Sequence, residues 1–356
     1  MFGRKNERDW PRPDGVLEQQ HRMICVFVIV YVGNDFESVG SDVFEVTQWW
    51  DDQVPRHINL SYCDIRYLGE HVFRPVPRLR SVSLAGNVRL RTAELEVALA
   101  GVRSPPTSLE TVILSHTNVS DVQSLVRRLQ TSTNISRLEL AYNHIHAVPK
   151  RTFFFLSALH YLDLSHNEIV RIDGLSGLAR LDYLGLAFNA LERIQSSMFE
   201  GLHELQRLDI SYNAIVGDLD AEALFGLFNL RAVDISGNRL RKIVLDSGGL
   251  ESLEALSASW NRISDLRFVG RLPRLWSVDL SHNAIVRVPD DVFPLGQRVE
   301  LLNLSGNAIS DIATGALRRV SLGTVDMSWN RLTTLDDVGW KSVNVLLVHN
   351  NDITKV

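Results

Sequence analysis

Cysteine is nearly missing from these 356 residues: there are two, Cys25 and Cys63. That excludes a disulfide-built scaffold, and a chain of this length does not need one to stabilise a core. No apolar run approaches the roughly 18 to 20 residues that cross a bilayer; the longest, Met23 to Val32, has ten. Lysine and arginine form no run and the net charge is −5, which makes nucleic acid and anionic membrane poor partners for the chain as a whole.

The chemistry of catalysis is also missing. There is no GxxxxGK and no well-placed GxGxxG. Serine meets histidine at Ser165–His166 and Ser281–His282, but adjacent strand residues face opposite ways and a repeat dictates the pairing, so no triad is expected. His144 and His146 lack further ligands at metal spacing, and a solvated turn is the expectation there. Asp218, Asp220 and Glu222 gather on an inter-repeat loop without the glycine and closing glutamate of a calcium site. The expectation is no enzyme, no metal and no cofactor.

What the chain has is a rhythm. The stretch LHYLDLSHNEI, Leu159 to Ile169, reads LxxLxLxxNxL, and sliding that template along the chain finds thirteen units, with first positions from Pro55 to Val343. The ninth position is Asn87, Asn143, Asn167, Asn189, Asn213, Asn238, Asn261, Asn283, Asn307, Asn330 or Asn351 in eleven of them; Cys63 and Thr117 fill the other two. VFVIVYVGNDF, from Val26, fits as a degenerate fourteenth, although its apolar run also suits the core of a secretory signal. One long unit holds GVRSPPTS, Gly101 to Ser108, which reads as a looped insertion.

The template has a physical meaning. Positions four and six point inward from a short strand, and successive units lay these strands side by side in a parallel sheet. Past the strand the chain must turn, leaving backbone groups that a side-chain amide can satisfy because it has donors and an acceptor. Asn143, Asn167, Asn189, Asn213, Asn238, Asn261, Asn283, Asn307 and Asn330 are therefore expected to form a buried ladder, bonding the turns of their own and the next coil. In this register Cys25 and Cys63 lie about eight strand residues apart along the strand direction, too far to bridge, and free thiols are expected.

Phe73, Phe153, Phe199 and Phe293 each sit six residues before a first position and close the outer side of their units. Such a pattern is identified as that of the leucine-rich repeat proteins, and its mixed unit lengths with this phenylalanine resemble the extracellular repeats of Toll-like receptors and chaoptin. The resemblance implies an α/β solenoid: a curved right-handed coil with a parallel β-sheet on the concave face and loops and short helical turns on the convex face. Residues 1–22 are expected to be poorly ordered, and 23–356 to form 13 to 14 repeats. No cysteine-rich cap follows the last unit, so a fragment of a longer protein is expected.

Binding is then the expected function, through strand positions three, five, seven and eight. Position five carries an acidic stripe, Asp163, Asp209, Asp234 and Asp279 among others, which suits a basic partner or merely keeps the face soluble. Position eight carries Phe188, Tyr212 and Trp260 among other rings, which suit a protein interface or brace the sheet by stacking. Tyr161, Tyr183 and Arg207, at position three of consecutive units, form with Phe188 and Tyr212 the densest candidate patch. N-glycosylation sequons begin at Asn59, Asn118, Asn134 and Asn303. The resemblance implies an extracellular or cell-surface recognition or adhesion ectodomain with a protein ligand, or a second copy of the chain, as partner. Membrane association is expected only through a segment outside this sequence. An intracellular scaffold similar to phosphatase-regulating repeat proteins is the alternative, and digestion with a glycosidase separates the two.

Overall fold

The computed structural model describes residues 28–30, 38–40 and 55–354, apart from 77, 101–108, 197, 246–249, 291 and 337. The expected disorder of residues 1–22, Cys25 with its distance from Cys63, and the looped insertion at 101–108 lie outside them. Fourteen parallel strands form one sheet, hydrogen-bonded in chain order from Val28–Val30 and His57–Asn59 through to Ser342–Leu347. Every one covers positions three to five of its unit, so each unit is one coil of a solenoid. Pairing is in step as well: Tyr161, Tyr183 and Arg207 are register partners, as are Asp163, Gly185 and Asp209. A shared period puts chemically equivalent positions into rows across the sheet.

No coil can hide its own apolar residues, and burial is completed by neighbours. Leu162, Leu164, Leu184, Leu186 and Ile210, at positions four and six, are fully buried in one continuous core. From the outer side Phe73, Phe153, Phe199 and Phe293 fill that core, each at most 3% exposed.

The ninth-position amides seal the turns. Asn213 shows the recurring pattern: its Nδ2 donates to the carbonyls of Ile210 and Ser211 at 3.1 Å in its own coil and of Leu186 at 3.0 Å in the preceding one. Its Oδ1 accepts the N–H of Leu191 at 3.0 Å, also in the preceding coil. The same bonds recur at Asn143, Asn167, Asn189, Asn238, Asn261, Asn283, Asn307 and Asn330. The ladder therefore reaches back to the previous coil, not forward to the next, because the position-six carbonyl and position-eleven N–H that each amide meets belong to the coil before. Thr117 cannot span the gap; its hydroxyl lies 2.8 Å from Leu114 O and 3.0 Å from Asn143 Oδ1, with one hydrogen to offer between them. Cys63 is buried, with its N–H bonded to Asn87 Oδ1 at 3.1 Å.

The side away from the large sheet holds more strand than loops and helical turns alone would give. Two-stranded parallel pairs join Ala147–Val148 to Arg171–Ile172, Val216–Asp220 to Arg239–Val244 and Arg287–Val288 to Asp311–Ile312. Asp218 and Asp220 thus sit on a paired strand instead of a loop. Two helices, Thr92–Leu99 and Val122–Arg128, pack in consecutive coils.

Candidate functional site

On the concave face the third positions of four successive coils build a ladder. Arg137 lies over the Tyr161 ring, 3.8 Å from its centroid; Tyr161 stacks on Tyr183 at 4.5 Å; and Arg207 lies 5.5 Å from the Tyr183 centroid on the other side. The spacing follows from the sheet, because parallel strands ~4.8 Å apart hold in-register flat groups near stacking distance. Burial, then the charge of Asp163, pushes both tyrosine hydroxyls above their ordinary range. The phenols stay neutral donors. Gly185 makes room: a methyl group there would stand 2.8 Å from Asp163 Oδ1 and 3.0 Å from the Tyr183 hydroxyl.

The acidic stripe does two jobs. Asp163, Asp209, Asp234, Asp279 and Asp326 each accept, on Oδ1, the N–H of the serine two residues later, at 2.8 to 3.0 Å. They cap the end of each strand. Asn59 and Asn303 do the same at 3.0 and 3.1 Å, so the bond needs an acceptor and not a charge. Burial, with the neighbouring Asp209 adding, holds the Asp234 carboxyl above the ordinary carboxylate range. Position seven lines the face only in part: Ala187, Ser211, Ser236, Ser281 and Ser328 are buried where the chain turns in, while Ser115, Ser165, Ser259 and Ser305 are half-buried.

Position eight forms a second spine at the strand ends. His116, Tyr142, His166, Phe188 and Tyr212 stack in sequence with centroids 3.9 to 4.4 Å apart, and Trp260 stacks on His282 at 4.0 Å. All seven have left-handed backbones, with φ from 50° to 56°. The first stack ends at Gly237, where a methyl group would stand 2.7 Å from the Tyr212 ring. Bracing by stacking is thus present, yet the rings keep exposed edges: Phe188 is 45% and Trp260 59% exposed.

The structure brings Tyr161, Tyr183 and Arg207 together with Asp163 and Asp209 on one surface, with Phe188 and Tyr212 along its edge and Trp260 and Asp279 further along the coil. Arg137, which completes the ladder, escapes the sequence reading although it holds the same third position one coil earlier. His144 and His146 are tied down as well: they pair with the two oxygens of Glu168 at 2.8 and 2.9 Å. Among the described residues no group of side chains is arranged to hold a metal ion, and no helix is long and apolar enough to cross a membrane. Of the sequons, Asn134 is exposed, Asn118 is half-buried, and Asn59 and Asn303 are half-buried in the sheet.

The family pattern described as leucine rich repeat matches residues 133–191, 180–240 and 273–332. Lumican of Rattus norvegicus is 29% identical over 224 residues, which make up 61% of this chain and 64% of lumican. Lumican of Homo sapiens is 32% identical over 130 residues, 35% of this chain and 38% of its own length. Tsukushi-A of Xenopus laevis is 34% identical over 111 residues, 29% of this chain and 31% of that protein. The chain thus spans less than two thirds of each of these relatives. Among solved structures, the APL1 leucine-rich repeat domain superposes with a TM-score of 0.65 at 16% identity, covering 93% of this chain and 76% of that one. The complex of TLR13 with ssRNA13 gives 0.55 at 16%, covering 92% and 62%. At such identity the likeness is one of fold.

Proposed function

This chain is a leucine-rich repeat protein, and from that premise we propose that it is a non-enzymatic recognition ectodomain, at the cell surface or secreted, that holds a protein partner on its concave face. The observation that carries this reading is the Arg137–Tyr161–Tyr183–Arg207 ladder. Tyrosine and arginine are the side chains that dominate binding energy at protein interfaces. Here they are pre-ordered on a rigid sheet, so little rotamer freedom remains to be lost on association. The acidic stripe beside them opposes a phosphate-rich partner and favours a basic protein surface. Lumican, fibromodulin and tsukushi, among the curated relatives, are extracellular, which supports the location. Asn134 is the sequon most open to glycosylation.

The test is a binding screen of the secreted chain against a panel of extracellular proteins, repeated with a Tyr161→Ala/Tyr183→Ala variant. Any partner found is expected to lose at least tenfold in affinity. A partner lost instead on Tyr142→Ala/Phe188→Ala, with the tyrosine pair irrelevant, would move the site from the tyrosine ladder to the spine at the strand ends. Glycosidase treatment is expected to shift the mass of the secreted chain, and Asn134→Gln to remove most of that shift.

A further inference from the structure

A hollow interrupts the concave sheet where the third positions become small. After Arg207 the register partners are Ala232, Ala255 and Ser277, and only at Leu301, 40% exposed, does a large side chain return. The depression has a volume of about 280 Å³, with Tyr183 and Arg207 as one wall. Along its side run Asp209, Asp234 and Asp279, with Ser257 between the last two. Each carboxylate is aimed by its Oδ1 bond to a serine N–H, at 3.0, 2.9 and 2.9 Å. Among the described residues none of the three is in an ion pair, whereas Glu139, four coils before Asp234, is held by Arg137. Arg137 offsets Glu139; Asp209, Asp234 and Asp279 have no such partner among the described residues.

We propose that this hollow is a socket for one lysine or arginine side chain of a protein partner, its methylenes lying on Ala232 and Ala255 and its charged head between Asp234 and Asp279. The proposal rests on the concave recognition reading above and narrows it to the chemistry of the partner. Asp234 and Asp279 stand two strands apart, roughly 9.6 Å along the sheet, so a head over Ser257 is equidistant from both. Long basic side chains lay their stems on apolar surface while the head keeps its charge, and the alanines offer that surface. An uncharged guest would leave the carboxylates uncompensated, and a phosphate would be repelled. Burial of Asp234 above the ordinary carboxylate range agrees with a charge that lacks a cation.

Titration calorimetry with an octa-lysine peptide, and with the same peptide acetylated on every lysine, tests this. The charged peptide is expected to bind and the acetylated one not to. Asp234→Asn/Asp279→Asn is expected to weaken binding at least tenfold, and Ala255→Phe to do the same by filling the hollow without altering charge. Asp218→Asn/Asp220→Asn removes as much charge elsewhere and is expected to change nothing; equal weakening there, or full binding by Ala255→Phe, overturns the socket. So does absence of binding by the wild type. Should the asparagine variants lose their far-ultraviolet circular dichroism, Ala255→Phe decides alone. Weakening by Tyr183→Ala/Arg207→Ala but by no socket variant would sink the socket and spare concave recognition; indifference to every concave variant would sink both.

Discussion

A single position shows how one residue type serves two ends. Asp234 accepts the Ser236 N–H at 2.9 Å, yet burial and its register partner Asp209 make its charge unwelcome. Its folded pKa lies above its unfolded one, so the folded chain binds the proton more tightly. The group therefore opposes folding above its folded pKa, and the opposition is relieved as pH falls below the unfolded value. Asp234→Asn keeps the acceptor, as Asn303 does naturally, and is expected to stabilise at pH 7 by roughly 0.2 to 1 kcal/mol; urea melts at pH 7 and at pH 3 should show the gain only at the higher pH. Asn238→Ala goes the other way. It strands the Ile215 N–H and the Ile210 and Ile235 carbonyls, and with about 1 to 3 kcal/mol for each unsatisfied buried group, partly relieved by water, a loss of roughly 2 to 4 kcal/mol is expected in the same melts. Glu168, held below the ordinary carboxylate range by the His144 bond and then by His146, should titrate upward in His144→Ala when followed by carbon-detected NMR.

At the scale of the element, the strands were legible because a two-residue alternation followed by asparagine admits one register, and all fourteen cover the third to fifth positions it implies. The asparagines were legible for the same reason. What the aspartates do was not: a carboxylate on a strand reads as surface charge until the backbone N–H that it caps is seen two residues on. Nor was the left-handed turn at position eight, where histidine, tyrosine, phenylalanine and tryptophan occupy a conformation that their types do not advertise. The candidate patch was partly legible, since Tyr161, Tyr183 and Arg207 share a position, while the hollow beside it, defined by the small size of Ala232, Ala255 and Ser277, carried no motif. Gly237 offers a test of the spine. Other residues tolerate its φ, so its need is for space beneath Tyr212; Gly237→Ala is expected to cost about 1 to 3 kcal/mol by overpacking, and much less in a Tyr212→Ala background, a coupling that a double-mutant cycle measures.

For the whole molecule, stability is close to a sum over neighbouring coils, because each contacts only the one before and the one after. A cavity in one coil should then be felt locally. Leu184→Ala, at a fully buried position, is expected to cost about 2 to 5 kcal/mol and to speed amide hydrogen exchange in its own and the adjoining coils far more than in distant ones. Uniform acceleration along the chain would mean a single cooperative unit instead.

The backward reach of the asparagine amides also gives the solenoid a direction in time. A coil leaving the ribosome has its strand, its leucines and its own amide, but not the second amide that bonds its outgoing N–H, since that one belongs to the residues still to be translated. Each coil is finished by its successor, so closure trails synthesis by one period of the sequence, and the order of assembly is written in the side on which the ladder leans.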